Sequence, residues 1–122
     1  MRFLPLFFIT LLFVFLPNVL MASEAESWPR PETVTMIDLG AKSCVPCKMM
    51  APILEKLSGE YQGRADIVFI DVREKPDEGR KYGIRAIPTQ IFYNKSGQEV
   101  GRHEGFLDEK SIKSSLDKLL TE

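Results

Sequence analysis

Val34-Thr35-Met36-Ile37-Asp38-Leu39-Gly40-Ala41-Lys42-Ser43-Cys44-Val45-Pro46-Cys47-Lys48 holds both cysteines of the chain, two residues apart, just after an apolar run closed by a glycine. The run, interrupted by Thr35 and Asp38, reads as a buried strand. After the cysteines, Met50, Ile53, Leu54, Leu57 and Tyr61 recur at spacings of three and four, which marks a helix with one buried face. Pro52 lies inside that helix and is expected to kink it. A Cys-x-x-Cys pair between a strand and a helix suits electron exchange between thiols and disulfides. One thiolate attacks, and its neighbour resolves the mixed disulfide. Zinc normally takes four ligands, and beyond these cysteines the chain offers only His103, so a complete Cys/His metal site within the chain is excluded. A purely structural bridge is a weak alternative, because closing so short a loop constrains the unfolded chain little.

Toward the C-terminus, residues 67–70 read as a second strand with Asp71 at its end, and residues 76–82 as a short helix stopped by Gly83. Residues 89–93 and 99–105 flank the turn Asn94-Lys95-Ser96-Gly97 and make a hairpin. Asp108 can cap a last helix whose apolar residues are Ile112, Leu116, Leu119 and Leu120. The order is strand, helix, strand, helix, strand, strand, helix. Crossover helices make the first strands parallel, and the hairpin adds an antiparallel edge, so the class is α/β with a mixed sheet. Met49 and Met50 read as core filler, and His103 as a strand-surface residue.

Toward the N-terminus the chain enters a different physical regime. Arg2 is the only charge before Glu24, and residues 3–16 are nearly all Phe, Leu, Ile and Val, which marks a membrane-targeting segment. Pro17-Asn18 breaks the run, and the small residues Ala22, Ser23 and Ala25 suit cleavage of a signal peptide spanning residues 1–25. The rival is an uncleaved anchor, because residues 3–22 are just long enough to span a bilayer at roughly 1.5 Å per residue. Residues 26–33 are polar, carry two prolines and read as a linker or lead-in, with Trp28 free to dock on the body. What remains, residues 34–122, is enough for one domain. With Arg2 set aside, 15 basic residues face 17 acidic ones, with no basic stripe, so nucleic acid is not an expected partner. The Arg73 to Lys81 cluster is mixed in sign and reads as a solvated surface.

The chain resembles the thioredoxin-fold family. The resemblance rests on Cys-Val-Pro-Cys-Lys at 44–48 with Pro52 on the same helix, Lys-Tyr-Gly-Ile-Arg-Ala-Ile-Pro-Thr at 81–89, and Gly105 near the end of the last strand. It covers residues 34–120 and implies a trimmed thioredoxin fold: a central mixed sheet of about four strands flanked by helices. It also implies a cis bond between Ile87 and Pro88, packed against the cysteine pair. Cys44 is then the nucleophile, at a helix start where free N–H groups and the helix dipole favour a thiolate. Cys47, one turn further on, is the shielded resolving thiol. Asp38 stands where the family places a buried acid beneath the second cysteine, and a buried carboxylate of raised pKa can take that thiol's proton. Val45, Ile87, Pro88 and Gly105 are the expected substrate contacts, with the backbone before Pro88 pairing with an extended client segment.

Several positions depart from the family pattern. Ser43 stands where thioredoxins usually carry Trp, Val45 replaces a common Gly, and Phe69 occupies the strand position where a lysine often pairs with the buried acid. Asp38 should therefore be harder to ionise. The lead-in before Val34 is too short for the extra strand and helix that open a full thioredoxin.

The expected activity is thiol–disulfide exchange through a redox-active Cys44/Cys47 pair that needs no metal or cofactor. Strong disulfide oxidants of the superfamily often place His between the cysteines, whereas here the pair encloses Val and Pro, which points to a reductant. The expected setting is outside the cytoplasm, periplasmic in a bacterium, with or without a tether formed by residues 3–22. Expected partners are protein dithiols and disulfides, plus a membrane or exported redox partner that keeps the pair reduced. A monomer is expected. The competing readings are a disulfide-introducing oxidase, an electron-relay domain for cytochrome c maturation, and a non-catalytic thioredoxin-fold binding module.

Overall fold

Strand β1, Val34–Gly40, is buried at every residue, because it lies in the middle of the sheet with both of its faces covered. The computed structural model describes residues 26–122. The proposed signal peptide or anchor at 1–25 lies outside the described residues. After β1 come α1 (Val45–Glu60), β2 (Ala65–Asp71), α2 (Pro76–Lys81), β3 (Thr89–Tyr93), β4 (Glu99–Glu104) and α3 (Glu109–Leu120). The four strands form one sheet in the order β2-β1-β3-β4. β1 runs parallel to β2 and antiparallel to β3, and β3 pairs antiparallel with β4. The helix α1 between β1 and β2 supplies the crossover that a parallel pair requires.

Alternation along β1 builds two cores. Val34 and Met36 point to one face, where Met50, Leu54 and Leu57 of α1, Phe92 of β3, and Ile112 and Leu116 of α3 close over them. Ile37 and Leu39 point to the other, joined by Ile70, Ile91, Tyr93 and, just past α2, Tyr82. Asp38 has the parity of Val34 and Met36 and so lies on the face that α1 covers. α1 runs continuously through Pro52.

The lead-in docks along the body. Trp28 packs against the second core, its carbonyl accepts from the Tyr82 hydroxyl at 2.9 Å, and Arg30 pairs with Asp66 with Nε 2.7 Å from the carboxylate. No helix or strand precedes β1 among the described residues. β2 is longer than the 67–70 expected from sequence, because its pairing with β1 extends from Val34↔Ala65 to Gly40↔Asp71. Met49 is not core filler. It is about half exposed, while Met50 is fully buried, since only the second lies on the inward stripe of α1.

Candidate active site

The C-terminal end of β1 feeds the cysteine pair. Ala41, Lys42 and Ser43 turn the chain, with Cys44 N–H donating to the Ala41 carbonyl at 3.2 Å, and Cys44 then caps α1 in an extended conformation. Its Sγ accepts from the Cys47 N–H at 3.4 Å, so the sulfur faces one of the unpaired donors at the helix start. Pro46 sits in the first turn, where its missing N–H costs the helix nothing. Cys44 and Cys47 are joined as a disulfide with their Cα atoms 5.1 Å apart. Cys47 is only 4% exposed while Cys44 is half-buried, so a client sulfur meets Cys44 first.

Beneath the pair lies Gly40. A Cβ at this position would stand 3.0 Å from Cys47 Sγ and 3.3 Å from the Phe69 ring, so a larger residue would push the second sulfur or the ring aside by a few tenths of an ångström. Asp38 is one pleat further down the same face, about 7 Å along the strand. It is fully buried, with Phe69 as its β2 partner and Gln90 as its β3 partner. Gln90 Nε2 donates to Asp38 Oδ1 at 2.9 Å. Burial pushes the Asp38 carboxyl up to about 6, and the Gln90 hydrogen bond pulls the other way. Phe69, where a cation could have stood, supplies no charge.

The cis Ile87–Pro88 bond completes this end of the sheet. Leu39 pairs with Thr89, so Pro88 lies level with Gly40 and the cysteine pair above it. The Pro88 carbonyl accepts from the Gly105 N–H at 2.7 Å, and Gly105 holds a φ of 95°, open mainly to glycine. Ile87 is half-buried and Val45 is 71% exposed, an apolar surface beside Cys44. All seven residues singled out from the sequence thus gather at or beneath one end of the sheet. A groove of about 390 Å³ between α1 and β2, walled by Ala41, Lys42, Cys47 and Phe69, reaches the second cysteine.

Four contributors were not singled out as site residues. Gly40 and Gln90 hold the positions just described. Arg73 donates from its guanidinium to Ser43 Oγ, so a cation stands beside the residue that departs from the family pattern. Asp71 accepts from the backbone N–H groups of Lys42, Arg73 and Glu74, which keeps its carboxyl below its ordinary range and pins the loop leading to Cys44. Only Gln90 left a signal in the sequence, as a polar residue in the run Thr-Gln-Ile-Phe-Tyr.

The family model described as Thioredoxin matches residues 25–118. A thioredoxin of Staphylococcus epidermidis is 44% identical over 87 residues, which are 71% of this chain and 83% of that protein. One from Staphylococcus aureus shows the same identity and coverage. Among solved structures, a chloroplastic thioredoxin z superposes with a TM-score of 0.67 at 31% identity, covering 75% of this chain and 81% of that one.

Proposed function

This chain belongs to the thioredoxin family and is a thiol–disulfide oxidoreductase, and from that premise we propose that it reduces protein disulfides outside the cytoplasm through the Cys44/Cys47 dithiol. The observation that carries the direction is that no histidine or other cation stands between the cysteines to stabilise a Cys44 thiolate. Val and Pro fill the space between the cysteines, one backbone N–H reaches Cys44 Sγ at 3.4 Å, and His103 lies exposed on β4 with its ring nitrogen near the Phe106 carbonyl. A thiolate that is weakly stabilised gives up its electrons readily. The apolar segment at 3–16 supports export, with residues 3–22 as signal or tether.

In the forward reaction the Cys44 thiolate attacks one sulfur of a client disulfide. The client S–S bond breaks, a Cys44–client disulfide forms, and the first client thiolate takes a proton. Cys47 then loses its proton to Asp38 and attacks Cys44 Sγ. That step releases the second client sulfur as a thiolate, which takes a proton from solvent, and leaves Cys44–Cys47 oxidised, two electrons having passed outward. A dithiol of a membrane or exported donor reduces the pair again. Val45, Ile87, Pro88 and Gly105 seat the client, whose extended backbone pairs with the edge before Pro88.

Insulin reduction tests the proposal. With a dithiol as the electron source, the protein without residues 1–25 should hasten precipitation of the insulin B chain well beyond the dithiol alone. No acceleration would refute the reductant reading and favour a binding module.

A further inference from the structure

Gln90 is a neutral side chain placed with unusual economy. It is fully buried in β3, stands opposite Asp38 in the strand register, and spends its amide N–H on Asp38 Oδ1 at 2.9 Å. Each partner has one oxygen left over: among the described residues, no protein group hydrogen-bonds to the buried Asp38 Oδ2 or Gln90 Oε1. Two acceptors cannot satisfy each other. One proton on Asp38 Oδ2 changes this, because a carboxylic acid facing a primary amide can make two bonds at once, N–H to the acid carbonyl and O–H to the amide oxygen. The orphaned atoms are the two that such a pair would join. Buried polar groups are normally satisfied, so the pairing accounts for both exceptions.

The surroundings leave this role to Gln90. β2 offers Phe69 beside Asp38, with Asp71 at its far end committed to backbone N–H groups. α1 offers Cys47, with Lys48 and Glu55 out on the groove wall, and α3 offers the apolar Ile112 and Leu116. Among the described residues no charged side chain pairs with Asp38; burial raises its pKa and the Gln90 N–H bond opposes that shift.

We propose that Gln90 is the positioning residue of the proton-transfer step, holding the Asp38 carboxyl by two hydrogen bonds when it is protonated and by one when it is ionised. The proposal rests on Asp38 as the acceptor of the Cys47 proton. As Cys47 attacks, its proton passes to Asp38 Oδ2 and the new O–H turns to Gln90 Oε1. When a donor dithiol reduces the Cys44–Cys47 disulfide, the same proton returns to the Cys47 sulfur. The amide thus keeps the acid aligned in both protonation states.

The test follows the two thiols separately with 5,5′-dithiobis(2-nitrobenzoate). Attack by Cys44 on the reagent releases the first thionitrobenzoate, and resolution by Cys47 releases the second. Between about pH 5 and pH 9 the second release should titrate with Asp38 in the wild type. Gln90→Met, similar in length but without polar atoms, removes two bonds from the acid and one from the carboxylate, so it should move that inflection down and slow the second release several-fold at neutral pH, with the first release unchanged. An unmoved inflection in a folded Gln90→Met protein overturns the proposal. If that variant does not fold, the infrared carbonyl band of protonated Asp38 decides it. The band, assigned by its loss in Asp38→Asn, should lie at the low frequency of a doubly bonded acid, and a free-acid frequency overturns the proposal. Asp38→Asn also separates the two claims. If its profile matches the wild type, Asp38 is not the acceptor. If Asp38→Asn removes the inflection while Gln90→Met leaves it in place, only the role of Gln90 falls.

Discussion

Cys47→Ser turns the protein into a trap, with clients accumulating as mixed disulfides on Cys44 and turnover falling by at least about a thousandfold. The size of the loss follows from geometry. Cys47 is held at bonding distance from Cys44 Sγ, and a group so placed acts with an effective concentration of roughly 10⁵ M or more, which no solution thiol replaces. Cys44→Ser should lose turnover equally yet capture nothing, because the remaining thiol is only 4% exposed. Capture on non-reducing gels, followed by identification of the bound proteins, checks both outcomes. Equal trapping by the two variants would reverse the assignment of nucleophile and resolving thiol. The captured species also separate the competing roles: many disulfide-bearing proteins indicate a general reductant, and a single membrane or cytochrome-assembly partner indicates a relay.

Asp38→Asn should cost activity and add stability, in opposite directions along the pH scale. The folded-state pKa of Asp38, about 6, lies above the ordinary 3.8, so the folded protein holds this proton more tightly than the unfolded chain. The resulting stabilisation is complete below about pH 4 and is lost as the pH rises through about 6. At pH 8 an ionised carboxylate remains buried, and the two-unit shift amounts to roughly 3 kcal/mol. Asparagine keeps the acceptor for Gln90 Nε2 and offers its own N–H₂ to Gln90 Oε1, without the charge. The variant should therefore exceed the wild type by up to about 3 kcal/mol at pH 8 and match it near pH 4, as read from denaturant unfolding at the two pH values. Its second-thiol reactivity at neutral pH should fall about ten- to a hundredfold for want of a base. A wild-type protein no less stable than the variant at pH 8 would contradict the burial of a titrating acid.

Residues with short-range meaning were legible in the sequence. Two cysteines one helical turn apart, the 3- and 4-residue spacing from Met50 to Tyr61, and Ile-Pro-Thr opening a strand each signal their structure within a few positions. Asp38 stood out because a carboxylate inside an apolar strand has to be accounted for. The remainder depends on which strands meet. Gln90 acquires its partner only because β3 inserts beside β1, fifty-two residues apart in the chain. Gly40 matters only because Cys47 folds back over it, and Arg73 reaches Ser43 across a thirty-residue separation. Trp28 was free to dock on the body by its sequence, but the partners, Tyr82 and the second core, come from distant segments. Local periodicity carries no information on such pairings, whereas Met49 lies off the Met50 to Tyr61 stripe and was misplaced only by being grouped with its buried neighbour.

The reductant role turns on a single quantity, the reduction potential of the Cys44/Cys47 couple. Thioredoxin stands at about −270 mV and a strong disulfide-forming oxidant at about −120 mV, a gap set largely by how well the reduced pair is stabilised. Equilibrating the protein without residues 1–25 in glutathione buffers of graded ratio, then counting free thiols, measures where this couple falls. With Val and Pro between the cysteines and one long hydrogen bond to Cys44 Sγ, the potential should lie well below about −150 mV, toward the thioredoxin value. A potential above about −150 mV would contradict the account and make the protein a disulfide donor.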